Sequence, residues 1–205
     1  AVSGRLFYCD MIHAREIVLS HAAQGTIYDP RMSGDGKHIA YVRGASLFVC
    51  DLEGNERRIA GESTKDVTWG VAEFVAAEEM NRQRGFWWSP TSNALAVERV
   101  DSRTISTISI SNPALPTESP STRRYPFAGT NNALTSLHIV DLHGASTQVI
   151  WNNADFEYLT SVHWTTAGLV ISVMSRDQKL LDIRKVDTTT GETASLHVER
   201  DDFWV

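Results

Sequence analysis

The sequence predicts an all-β fold, a partial and irregular β-propeller of about four blades carrying one short helical insertion. Three observations predict it: short apolar runs separated by turn residues, two turn devices that recur along the chain, and a single stretch of helical composition. Runs rich in Val, Ile, Leu, Tyr and Thr occupy residues 5–10, 38–42, 47–51, 95–100, 104–110, 136–142, 158–164, 169–174 and 179–187, and Gly, Asp, Asn and Pro punctuate them. Runs of this length with closely spaced turn signals favour a sandwich, barrel or propeller over alternating βαβ units.

The first device is an apolar strand ending in Asp with a glycine soon after. It occurs at Asp51 to Gly54, Asp141 to Gly144 and Asp187 to Gly191. The Asp side chain can accept from turn amides, and glycine supplies the positive φ that closes a hairpin. The second device is a polar turn opening a strand of small and apolar residues: Ser33-Gly34-Asp35-Gly36, Trp88-Ser89-Pro90 and Trp164-Thr165-Thr166. Strand, polar turn, strand, Asp turn and strand in succession is the layout of a four-stranded blade. At about ten to twelve residues per strand and turn, the chain holds roughly fifteen to eighteen strands, and uneven spacing of the second device predicts insertions.

Two segments break the rhythm. Residues 71–84 are rich in helix formers, place Val71, Phe74 and Val75 on one face, and meet Gly85 as a stop, which predicts the one helix. Residues 102–124 combine Ser and Thr with Pro113, Pro116 and Pro120, which predicts an extended hairpin projecting from the sheet.

Composition excludes several functions. The 205 residues are 42% hydrophobic and 21% charged, which excludes disorder, and no run approaches a membrane span. The amino end lacks the layout of a secretory signal. Nineteen Lys and Arg against 25 Asp and Glu leave a net charge of -6, which argues against nucleic acid as a partner. Cys9 and Cys50 carry no Cys-x-x-Cys spacing; a single disulfide between them stays open, but they read more readily as two small buried strand residues. Seven histidines (His13, His21, His38, His138, His143, His163 and His197) lack metal-ligand spacing and read as surface or strand-packing residues, so no metal or other cofactor is implied. No Gly-x-Ser-x-Gly elbow and no phosphate-cradling glycine loop occur. The six tryptophans read as core anchors more readily than as a ligand groove.

Glu78 and Glu79, adjacent on the expected helix, stand out. Neighbouring acids repel unless solvent screens them or a cation lies between them. One reading is a solvated helix face with Glu78 paired to Arg82 four residues on, a contact worth about 0.3–0.5 kcal/mol. The other is a receptor for a cationic group, because two carboxylates can accept all three donors of an ammonium.

Glu73-Phe74-Val75-Ala76-Ala77-Glu78-Glu79-Met80-Asn81-Arg82, followed by Gly85-Phe86-Trp87-Trp88-Ser89-Pro90, resembles the bacterial form of the dipeptidyl peptidase IV branch of the prolyl oligopeptidase family. Further matches follow in order: Arg124-Tyr125-Pro126-Phe127-Ala128-Gly129-Thr130-Asn131, then Tyr158-Leu159 with Val162-His163-Trp164, then Ser175-Arg176-Asp177-Gln178-Lys179. The resemblance implies an irregular eight-bladed propeller covering an α/β-hydrolase domain with a Ser, Asp, His triad. It also implies release of dipeptides from peptide N-termini, with proline or alanine second. By the same resemblance, Glu78 and Glu79 bind the substrate's α-ammonium, and residues 102–124 match an arm that helps form homo-oligomers. Asp101-Ser102-Arg103-Thr104-Ile105 departs from the residues usual at the start of that arm. The arginine that holds the substrate carbonyl is not assigned to Arg5 or Arg15.

The expectation is therefore that residues 1–205 are part of the propeller, that the catalytic domain lies outside them, and that they are inactive alone. The alternative is a freestanding propeller-like scaffold binding a protein partner through the arm. A periplasmic propeller of the translocation type shares the Ser-x-x-Gly turn but gives no account of Glu78 and Glu79.

Overall fold

Among the described residues (1, 4–10, 12–19 and 25–205), the computed structural model has seventeen strands and one six-residue helix. Strands β1 (Leu6–Cys9) and β2 (Ala14–Ile17) form an antiparallel ribbon. Strands β3 (Ile27–Met32), β4 (His38–Arg43), β5 (Ser46–Asp51) and β6 (Glu56–Ala60) form a four-stranded antiparallel meander in chain order. The next sheet draws on β7 (Val67–Trp69), β8 (Phe86–Trp88), β9 (Ala94–Asp101), β12 (Leu134–Asp141) and β13 (Ser146–Val149). Helix α1 (Phe74–Glu79) lies between β7 and β8, and a separate hairpin of β10 (Thr107–Ile110) and β11 (Ser121–Arg124) lies between β9 and β12. A last meander runs β14 (Tyr158–Thr165), β15 (Gly168–Met174), β16 (Leu180–Val186) and β17 (Thr193–Arg200).

Apolar clusters join these sheets face to face in series. Leu6, Ile17 and Leu19 pack with Ile39, Tyr41 and Cys50 between the ribbon and the first meander. Val42, Leu47, Val49 and Ile59 pack with Val67, Trp69, Phe86, Leu95 and Val97 between that meander and the central sheet. Leu137, Ile139, Val149 and Trp151 pack with Leu159, Val162, Ile171 and Val173 between the central sheet and the last one. A sheet covered on both faces buries successive residues of one strand, as in Ile39 to Val42 of β4, which explains the continuous apolar runs. The sheets do not close into a barrel, and no helix among the described residues is long and apolar enough to cross a membrane.

The three Asp turns form as the sequence predicts. The Asp51 Oδ1 accepts from the amides of Glu53 and Asn55, that of Asp141 from His143 and Ala145, and that of Asp187 from Thr189 and Thr190. Gly54, Gly144 and Gly191 all have positive φ. Each also touches the sheet before it: a Cβ would stand 2.1 Å from the Val18 carbonyl oxygen at Gly54, 3.2 Å from that of Ile59 at Gly144, and 1.9 Å from that of Gln148 at Gly191. The same residue thus closes a hairpin and allows the next sheet to dock. The polar turns at Ser33 and Ser89 also form, each serine Oγ accepting the amide that opens the following strand. The third device of this kind is at Ser175, which accepts the Leu180 amide, and not at Trp164, where Thr165 and Gly168 make a tight turn.

Five expectations are corrected. The helix spans six residues and not 71–84, because a β-bridge between Val71 and Arg84 holds the two ends of that stretch together. Phe74 is exposed, and Ala76 is the buried residue of the helix. The strand expected at 104–110 begins at Thr107, since Ser102 to Ile105 forms a turn with the Ile105 amide donating to the Ser102 carbonyl. Cys9 is an exposed thiol, while Cys50 is buried and free, its thiol pushed up to about 12 by desolvation. Trp69 and Trp151 are core residues, whereas Trp204 is exposed, and His21 lies outside the described residues.

Candidate functional site

The helix that carries the two glutamates is an excursion from the central sheet, and its exit and return are adjacent. β7 pairs with β9 from Val67 opposite Asp101 to Trp69 opposite Arg99, and β8 pairs with the same strand from Phe86 opposite Val97 to Trp88 opposite Leu95. Between them stands Glu98. The Gly70 amide donates to the Glu98 carbonyl at 2.9 Å, and the Glu98 amide donates to the Gly85 carbonyl at 2.7 Å. The chain therefore leaves the sheet after Gly70 and rejoins it at Gly85 with no break in the β9 ladder. The pinch requires glycine: a Cβ on Gly85 would stand 2.3 Å from the Val71 nitrogen, and Gly70 has φ +87°.

Glu73 starts the helix. Its extended backbone and buried carboxylate make it the N-cap, accepting from the amides of Val75 at 2.7 Å and Ala76 at 2.6 Å. Burial raises its carboxyl above the ordinary range, and those two hydrogen bonds oppose the shift. The helix ends where Asn81 takes φ +50°, and the amides of Met80 and Arg82 both donate to the Ala76 carbonyl. Phe74 continues into an exposed edge-to-face aromatic row, its ring 5.4 Å from that of Tyr125, which lies 5.0 Å from that of Phe127.

Glu78 and Glu79 occupy the last helical turn and are exposed. Among the described residues neither carboxylate makes a hydrogen bond or ion pair; Arg82, the expected partner of Glu78, instead pairs with Glu98. The last turn holds no basic residue, and the helix carbonyls there add negative potential. Two like charges side by side at the negative end of a helix repel one another and concentrate negative potential there.

Arg82 fixes the return loop. Its guanidinium makes a two-pronged contact with Glu98, whose side chain has no solvent exposure, and also donates to the Arg84 carbonyl at 2.9 Å and to the Leu159 carbonyl of β14 at 2.7 Å. The Trp87 ring lies 5.8 Å from the guanidinium carbon. Burial raises the Glu98 carboxyl, and the Arg82 charge opposes it. Sequence reasoning missed Glu98 and the aromatic row. A lone glutamate in the apolar run Leu95-Ala96-Val97-Glu98 was the available signal, since a buried acid in a strand needs a partner.

An open groove of about 630 Å³ lies elsewhere, among Arg99, Asn132, His138, Glu157 and Arg176. It contains neither glutamate. Its charged groups are already engaged, Arg99 with Glu62 and Arg176 with Glu157.

The sequence and fold are similar to known proteins. Residues 2–205 match the family described as the dipeptidyl peptidase IV (DPP IV) N-terminal region. Mouse dipeptidyl peptidase 8 is 25% identical over 171 residues, covering 68% of this chain and 19% of that protein. Rat inactive dipeptidyl peptidase 10 is 20% identical over 219 residues, covering 99% of this chain and 26% of that protein. The crystal structure of Porphyromonas gingivalis dipeptidyl peptidase 4 superposes with a TM-score of 0.81 at 21% identity, covering 94% of this chain and 28% of that one. The chain thus spans about a quarter of the length of such relatives. With a family match that runs across nearly all of its residues, the chain belongs to the dipeptidyl peptidase IV N-terminal region family.

Proposed function

We propose that residues 1–205 are part of the N-terminal propeller, about four of its eight blades, of a serine exopeptidase that releases Xaa-Pro or Xaa-Ala dipeptides from peptide N-termini. Glu78 and Glu79 bind the α-ammonium of the substrate. The catalytic serine, histidine and aspartate belong to an α/β-hydrolase domain outside these residues, and this segment alone is inactive. The observation that carries the reading is the pair itself: two exposed carboxylates, without a partner among the described residues, at the negative end of a helix that is pinned at both ends. Anchoring the amine at a fixed distance from the nucleophile limits cleavage to the second residue, and a blocked N-terminus leaves the carboxylates without their cation. The β10–β11 hairpin, which stands apart from the stacked sheets, is the proposed contact between copies of the enzyme.

In the full-length protein, Glu78→Ala with Glu79→Ala lowers kcat/KM for dipeptidyl substrates by roughly a hundredfold or more, the loss expected when a charged recognition contact disappears. Near-normal turnover by the double variant removes the assigned role. The name of the rat relative, an inactive dipeptidyl peptidase, favours a second reading in which the propeller serves as a binding scaffold. Absence of hydrolysis by the full-length protein, with peptide N-termini still bound, selects that reading.

A further inference from the structure

We infer that Arg82 is the positioning residue of the glutamate helix, a clamp that ties Glu78 and Glu79 to two sheets at once. The inference rests on the reading of those glutamates as an ammonium site. The Glu73 cap and the Gly70–Gly85 pinch fix the start of the helix and the base of its excursion, and its acidic end depends on the return loop. The helix has six residues, too few to be stable by itself, and Ala76 is its only buried side chain. Apolar packing therefore contributes little to its position, and polar contacts set it, those at the end bearing Glu78 and Glu79 coming from the return loop.

Arg82 supplies them. Its side chain is only 10% exposed, and its four terminal N–H groups meet four acceptors: both oxygens of Glu98, the Arg84 carbonyl and the Leu159 carbonyl. Glu98 lies on β9 of the central sheet, beside the point where the excursion leaves and returns. Leu159 lies on β14, the edge strand of the neighbouring sheet, at an irregularity in its pairing with β15. The Arg82 main chain caps the helix by donating to Ala76, three residues from Glu79. One residue thus joins the helix end, the strand beneath it and the adjacent sheet. A planar guanidinium is suited to this; an ammonium has three donors and no fixed fork.

The test uses the full-length protein with Arg82→Met, Arg82→Lys and Glu98→Gln, and with Glu78→Gln/Glu79→Gln as the comparison. Two substrates are hydrolysed, a dipeptidyl anilide and its analogue lacking the α-amino group, and hydrogen exchange is followed at the amides of residues 75–82. Arg82→Met is expected to lower the preference for the free amine about tenfold or more, mainly through KM, while hydrolysis of the desamino analogue is unchanged. Amides 75–82 exchange at least about tenfold faster, and those of β9 and β12 do not. Arg82→Lys restores part of the preference. If Arg82→Met does not fold, Arg82→Lys and Glu98→Gln carry the same expectation in weaker form. Full amine preference and unchanged exchange in the Arg82 and Glu98 variants, with preference lost in the glutamate double variant, overturns the clamp and leaves the ammonium site standing. Preference retained in the glutamate double variant overturns the ammonium site, and with it the positioning role.

Discussion

His138 and Asp101 lie on paired strands of the central sheet, and acid acts on them in different ranges. The His138 ring sits between the Ser136 and Ser146 hydroxyls at 3.1 and 3.2 Å and lies 4.8 Å from the Trp69 ring. Burial, with the Arg99 charge nearby, holds its pKa down at about 4. The folded protein keeps this ring neutral while the unfolded chain takes up a proton near pH 6.5, so stability falls as pH drops from about 6.5 to about 4. Asp101 is held at about 2 by the Arg103 side chain, and its contribution is lost only as pH falls from 3.8 towards that value. After allowance for partial solvent access, His138 accounts for on the order of 2 kcal/mol across its window. Urea denaturation of His138→Gln at pH 7 and 4.5 is expected to show that part of the acid sensitivity removed. A slope equal to that of the unaltered protein would assign the sensitivity to another group.

At the scale of turns and strands, the glycines that dock one sheet on another separate strain from crowding. Gly191→Ala meets a positive φ of +80° and a backbone oxygen 1.9 Å from the new methyl. Gly129→Ala meets a similar φ of +79° with nothing within 4 Å. The first is expected to destabilise by about 2–4 kcal/mol and the second by about 1 kcal/mol, a difference readable as Tm. Equal losses would mean that the turn at Asp187 does not press on β13.

These turns were legible because Asp and Gly act on their own hairpin. Strands buried on both faces, such as β4, β5 and β9, were legible for a related reason, since burial selects a continuous apolar run. Strands facing water gave no such signal: β6, β11 and β13 read Glu-Arg-Arg-Ile-Ala, Ser-Thr-Arg-Arg and Ser-Thr-Gln-Val. β17 was readable and was missed, since Ala194, Leu196 and Val198 alternate with polar residues. β3 contains Pro30 and an irregular register between Tyr28 and Arg31, which hid it. In the candidate site, the glutamate pair was evident from local sequence. The shortening of its helix was not, because a bridge between residues 71 and 84 and an ion pair between Arg82 and Glu98 are tertiary facts that overrode a favourable helical composition.

On the scale of the whole molecule, the sheets are held by apolar surfaces that each belong to two sheets. Leu137, with no exposure, packs in the cluster shared by the central and last sheets. Leu137→Ala is expected to cost about 2–4 kcal/mol in denaturant unfolding, because the stacked sheets cannot collapse fully onto the space left. A loss below about 1 kcal/mol would show that the two sheets move together easily.

This stacking places α1 where β9 and β14 approach one another and leaves its acidic end open. The central claim is that the open end receives a peptide's leading ammonium group. It is tested most directly by the ratio of kcat/KM for a free-amine dipeptidyl substrate to that for its desamino counterpart, in the unaltered full-length protein and in Glu78→Gln/Glu79→Gln. The account predicts a ratio of about a hundred or more that falls close to one in the variant. A large ratio that survives the substitution would contradict it.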